Sequence, residues 1–119
     1  MFGFLRRNSK KKIQARIQAL EKEINLKKAQ IESFEKKLTK LENKKKTLEK
    51  FEEYDRVSQE INDDESLTQD QIEKKYKGLK KKFPQELALE EEINQTNNLL
   101  QLNKSDLQRL ERELKNLSS

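Results

Sequence analysis

Residues 13–48 read IQARIQALEKEINLKKAQIESFEKKLTKLENKKKTL. The apolar side chains fall at Ile13, Ile17, Leu20, Ile24, Ile31, Phe34, Leu38, Leu41 and Leu48, in steps of 4, 3, 4, 7, 3, 4, 3 and 7. Alternating steps of three and four place residues on one narrow stripe of an α-helix, the a and d positions of a heptad repeat. Lys27 and Lys45 fill the two positions at which the apolar series skips. A second series follows downstream at Leu89, Ile93, Thr96, Leu100, Asn103, Leu107, Leu110, Leu114 and Leu117, again in steps of four and three. Two such stripes in one chain call for each other, because a helix with one apolar stripe must bury it against another element.

The segment between the stripes says how they meet. Phe51, Tyr54, Val57 and Ile61 continue an apolar face beyond Leu48, which predicts one helix over residues 10–61. Residues 62–68 are polar and acidic and read as a turn, closed by Thr68, an N-cap with Gln71 three residues on to complete a capping box. Ile72, Tyr76, Leu79 and Phe83 predict a helix over 69–83. Pro84 either kinks the chain or opens a new helix, taken here as 85–117. The predicted fold is all-α, a long antiparallel coiled-coil hairpin with a break at Pro84, preceded by a flexible apolar and basic segment over residues 1–9. Facing residue numbers in an antiparallel pair share a constant sum. Pairing a with d positions sets that sum near 134, so that Leu20 faces Leu114, Ile24 faces Leu110, Lys27 faces Leu107 and Ile31 faces Asn103. Near the turn, sums of 134 and 133 have Phe51 facing Phe83 and Tyr54 facing Leu79.

Composition agrees with a rod rather than a sphere. Hydrophobic residues make up 31% of the 119 and charged residues 41%, too little apolar volume for a thick core but enough for a seam. Gly occurs twice and Pro once, so helix breakers are scarce. The polar seam residues Lys27, Lys45, Asn103, Thr96 and Glu86 read as register-setting devices.

Chemistry is poorly provided for. There is no His to serve as general base and no Cys to serve as nucleophile, disulfide partner or zinc ligand. The string Ser33-Phe34-Glu35-Lys36 matches a bare S-x-x-K, on a helix with no cavity expected around it. Asp63, Asp64 and Glu65 lack the spacing of a calcium loop and read as a solvated turn. The expectation is a non-enzymatic protein without cofactor or metal. No run reaches the roughly 18 apolar residues of a membrane span. The first residues are too short an apolar stretch for a signal peptide, so the expected location is cytoplasmic or membrane-peripheral, and the sequons at Asn94, Asn103 and Asn116 read as chance.

Charge and surface residues supply the binding expectations. Residues 1–50 hold 16 Lys/Arg against 6 Asp/Glu, whereas residues 51–119 hold 11 against 16. Arg6, Arg7, Lys10, Lys11, Lys12 and Arg16 form a basic cluster with no acidic residue before Glu21 and no facing neutraliser, just after Phe2, Phe4 and Leu5. A short apolar tip beside a basic cluster suits an anionic membrane surface. It suits nucleic-acid phosphates only as a salt-dependent grip, since no recognition motif is present. A second patch, Lys74, Lys75, Lys77, Lys80, Lys81 and Lys82, is expected to pair largely with acidic residues across the hairpin. Ala15, Ala19, Leu26 and Ala29 occupy c and f positions, away from the first seam, and Leu99 and Leu102 lie off the second. They form a candidate docking strip for a second copy or a partner helix.

The opening Met1-Phe2-Gly3-Phe4-Leu5-Arg6-Arg7, followed by a basic helical hairpin, resembles the ESCRT-III and PspA membrane-remodelling proteins, which place a short apolar segment before such a hairpin. That resemblance implies peripheral membrane association through Phe2, Phe4, Leu5 and the adjacent basic residues. Further helices of that family have no counterpart in these 119 residues. The architecture is also similar to secretion-system stalks and to flagellar export chaperones of the FliJ kind. The expected function is therefore structural or adaptor: a rod docking protein partners, a second copy among them, through its base and tip. The alternative is membrane anchoring, and nonspecific nucleic-acid binding ranks last.

Overall fold

The computed structural model describes residues 2–118, with side chains described for residues 9–118. Four helices account for the described chain: α1 (Phe2–Thr47), α2 (Phe51–Asp63), α3 (Gln69–Lys82) and α4 (Pro84–Ser118). The fold is all-α, with α1 packed against α4 as a helical hairpin. Because α1 begins at Phe2, the segment expected to stand apart over residues 1–9 is, from residue 2, the start of a long helix. The chain divides into two units, Met1–Lys36 with Asn98–Ser119, and Lys37–Asn97.

In the first unit the seam is buried at the heptad positions. Leu20 is 0% exposed, and Ile24 and Leu110 close around it, with Leu107, Leu114 and Leu117 packed against them. Ile31 and Leu100 are buried further along, whereas Ile13, at the outer end of the same series, is 42% exposed. Two ion pairs report the register. Arg16 and Glu113 precede a positions on their helices, lie 2.9 Å apart and sum to 129. Glu35 and Lys104 follow d positions, lie 4.0 Å apart and sum to 139. In an antiparallel coil these two kinds of pair flank the seam on opposite sides, and together they bracket the expected sum of 134. Lys27 is level with Leu107, and its stem carries the ammonium along to Asn103, donating to Oδ1 at 3.0 Å and pairing with Asp106 at 3.6 Å. Asn103 also donates from Nδ2 to the Leu99 carbonyl, so its amide is used from both ends.

In the second unit Lys37 and Glu92 pair at 3.7 Å and again sum to 129. Thr96 is buried in the seam and donates to the Glu92 carbonyl one turn back, which satisfies its hydroxyl within its own helix. The continuous helix expected over 10–61 is two helices here, α1 ending at Thr47 and α2 starting at Phe51. The reason is phase. Carried past Leu48, the heptad series would put Glu52, Asp55, Gln59 and Asn62 in the seam. The buried residues of α2 lie one position earlier, at Phe51, Tyr54, Ser58 and Ile61. One residue is about 100° of helix rotation, more than a straight helix absorbs. The turn at 48–50 supplies it, with the Phe51 amide donating to the Leu48 carbonyl. Lys45 stays in the seam with its ammonium 4.8 Å from the Phe51 ring centre.

The connection from α2 to α3 follows its local chemistry. Asp64 accepts from the amide and hydroxyl of Ser66, and Thr68 and Gln71 form the expected capping box, each side chain bonded to the other's backbone amide. Pro84 opens α4 rather than kinking a continuous helix, and its missing N–H costs nothing at a helix start. Tyr54 packs edge-on against Phe83 at 5.8 Å as well as against Phe51 at 5.4 Å, so the aromatic side chains meet as a trio.

A disulfide tests the antiparallel register directly. In the Leu20→Cys, Leu114→Cys variant it is expected to form within one chain and leave the sedimentation of the protein unchanged, since bridging needs Cα atoms within about 7 Å. Cross-links found only between chains would overturn the hairpin.

Candidate partner-docking surfaces

The seam and the aromatic trio use most of the large apolar side chains. Among the described residues, the large hydrophobic side chains left exposed are Ile13, Leu26 at 66%, Leu99 at 46% and Leu102 at 63%. Ala15, Ala19 and Ala29 are exposed as well. All lie in the first unit. The Arg16–Glu113 pair shows which sides of α1 and α4 adjoin, because both residues occupy g positions. Positions c and g lie on the same side of a helix, so Ala19 and Leu26 (c) on α1 and Leu99 (g) and Leu102 (c) on α4 share one lateral face of that unit. Ala15 and Ala29, at f, lie at the back of α1 and border it. The opposite face, built from b and e positions, carries Gln18, Glu21, Asn25, Lys28 and Glu32 on α1 and Gln101, Lys104, Gln108 and Glu111 on α4, without an apolar residue. The sequence reading grouped these residues as one strip, and the Arg16–Glu113 pair shows which side of the α1–α4 pair carries it.

The basic cluster is divided. Lys10, Lys11 and Lys12 are exposed and form no ion pair among the described residues. Arg16 corrects the expectation of an unneutralised patch, since both Nε and Nη2 donate to Glu113. The side chains of Phe2, Phe4, Leu5, Arg6 and Arg7 lie outside the described residues. In the second patch only Lys82 is paired, with Glu53 at 3.2 Å, so the expected extensive pairing across the hairpin is absent among the described residues.

The second unit holds a feature that the sequence reading did not single out. A groove of about 590 Å³ is walled by Tyr54, Ser58 and Asn62 of α2, by Ile72 and Tyr76 of α3 and by Leu87, Glu90 and Asn94 of α4. Tyr54 is 1% exposed. Burial first, and then the neighbouring Glu90 carboxylate, push its hydroxyl well above the ordinary tyrosine range, with Ser58 opposing only in part. Glu90 Oε2 is buried without a hydrogen-bond partner, and Tyr76 donates to Asn62. The available signal was spacing. Tyr54, Ser58 and Asn62 recur every four residues on α2, as Glu90 and Asn94 do on α4, and each is a polar row bordering an apolar one. The arrangement donates and accepts hydrogen bonds but presents no activated nucleophile, and among the described residues no three His, Cys, Asp or Glu side chains converge as metal ligands would. No described helix is long and apolar enough to cross a membrane.

Comparison with known proteins finds no matching family model, no matching curated protein and no matching solved structure.

The Tyr54 environment has a pH signature. A raised folded-state pKa means that the neutral hydroxyl contributes stability fully below about pH 10, the unfolded value, and that this contribution is lost as pH rises beyond it. In a Tyr76→Phe variant, where Tyr54 is the remaining tyrosine, tyrosinate absorbance is expected to appear only above pH 10 and together with loss of helical circular dichroism. A simple titration centred on pH 10 with helicity intact would contradict the burial of Tyr54 beside Glu90.

Proposed function

We propose that this protein is a non-enzymatic structural or adaptor coiled coil that binds protein partners through the exposed apolar face of its first unit. The observation that carries the reading is the convergence of Leu26, Leu99 and Leu102 on one side of the α1–α4 pair while the other side has no apolar residue. Scattered surface leucines are ordinary; a one-sided group contributed by two helices is the pattern of a helix-docking surface. The seam cannot serve this purpose, because α4 already occupies it.

Replacing Ala19 and Leu26 with Glu tests the reading. Exposed helix positions tolerate change within about 0.5 kcal/mol, so helicity and thermal midpoint should hold. Binding should weaken, since each new carboxylate would be buried unpaired in the complex. The measurements are sedimentation of the variant beside the parent and recovery of partners from native extract. Identical behaviour of the two proteins sinks the docking role.

A second reading rests on Lys10, Lys11 and Lys12 of α1, exposed and without ion pairs among the described residues. Together with Phe2, Phe4, Leu5, Arg6 and Arg7 they would hold the protein at an anionic membrane, each basic residue near the surface contributing roughly 1 kcal/mol. Full-length protein should then sediment with anionic vesicles at low salt and a variant lacking residues 1–12 should not. Indifference of the full-length protein to those vesicles removes the membrane reading.

A further inference from the structure

From the charges that border the lateral face of the first unit, we infer that its occupant is an acidic amphipathic helix. This rests on the docking reading above and specifies the partner's chemistry. The face has the length of a helix. With facing numbers summing to 134, Leu102 is level with residue 32 of α1 and Leu99 with residue 35. Ala19, Leu26, Leu102 and Leu99 therefore form a line over sixteen residues, about 24 Å at 1.5 Å per residue, enough for four to five turns of a partner. The line crosses from α1 to α4 and so follows the groove between them, where a third helix packs with apolar residues at i, i+3 or i+4, and i+7.

Charge selects the partner. Two of the acidic residues on this face are already neutralised within the unit. Asp106 is held by Lys27 at 3.6 Å and by Arg109 at 3.8 Å, and Glu113 by Arg16 at 2.9 Å. Lys22 and Arg112, at f positions on the two outer borders, form no ion pair among the described residues, and Lys36 reaches only Glu32 of its own helix at 3.4 Å. Glu23 is the one acidic residue of the face left unengaged among the described residues. The unengaged cations beside the apolar line are thus Lys22 on the α1 border and Arg112 on the α4 border. A second copy would bring the same basic borders against these and be repelled, whereas a helix with Glu or Asp beside its apolar stripe would pair on both sides.

The test uses the full-length protein and two fluorescein-labelled 18-residue peptides with the same leucine pattern, one bordered by Glu and the other by Lys, followed by anisotropy at two salt concentrations. The Glu-bordered peptide is expected to bind at least tenfold tighter than the Lys-bordered one and to weaken as salt rises. Leu102→Glu should cost at least tenfold, and Gln101→Glu, on the opposite face, should leave affinity unchanged, with circular dichroism the same in both variants. Equal binding of the two peptides, binding of neither, or indifference to Leu102→Glu overturns the inference. So does a dimer of the unmodified protein that Leu102→Glu dissociates, because the occupant is then a second copy. If neither peptide binds but the Ala19→Glu, Leu26→Glu variant still loses partners, the docking reading stands and the acidic-helix inference alone falls. If that variant also behaves as the parent does, both fall.

Discussion

A lysine in the seam of a helical pair must find an acceptor or leave the seam, and Lys27 finds Asn103. Its ammonium is partly buried, and the amide oxygen at 3.0 Å and the Asp106 carboxylate at 3.6 Å are what make that tolerable. Sliding α4 by one heptad in either direction would present Thr96 or Leu110 in place of Asn103. The first has its hydroxyl committed to its own helix, and the second has no acceptor at all. The leucines would fit nearly as well after such a slide, so apolar burial by itself chooses the pairing but not the register. One polar contact therefore decides which residues face each other, and with them the position of the lateral face on which Leu26 and Leu102 meet.

The exposed ion pairs add little to this. Arg16–Glu113, Glu35–Lys104 and Lys37–Glu92 each join side chains roughly half exposed to solvent, where pairs contribute about 0–1 kcal/mol. Their value is directional: they are consistent with the register and would oppose a wrong one. The uneven charge of the sequence survives folding for the same reason. Acidic residues of α4 neutralise only a few of the α1 cations, and Lys10, Lys11, Lys12 and Lys22 remain unengaged among the described residues.

What the sequence discloses depends on the range of the interaction. The seams, the 134 register of the α1–α4 pair and the Thr68–Gln71 capping box rest on periodicity or on neighbours three residues apart, and each was legible. The division at Thr47 was half legible. The change of period near Leu48 is in the sequence, but whether a one-residue change of phase bends a helix or ends it depends on what packs against Phe51 and Tyr54, and Phe83 comes from another element. Arg16 was misjudged because its neutraliser lies 97 residues away. The groove beside Tyr54 was missed for a related reason. Glu90 stands in a run of three glutamates, and only the three-dimensional approach of α2 sets it apart from Glu91 and Glu92.

The sequence separations of these contacts also order the assembly of the chain in time. Tyr76 reaches Asn62 across 14 residues and Lys82 reaches Glu53 across 29, whereas Arg16 reaches Glu113 across 97. Closing a loop of 97 rather than 14 residues costs about 1.7 kcal/mol more chain entropy. Loop entropy therefore favours closing the α2–α3 turn before the contacts of longer separation. During synthesis α1 waits through the production of about seventy residues before its partner exists, with Leu20, Ile24 and Ile31 open to water. Of these three contacts, the one between Arg16 and Glu113 closes the longest loop and carries the largest entropic cost.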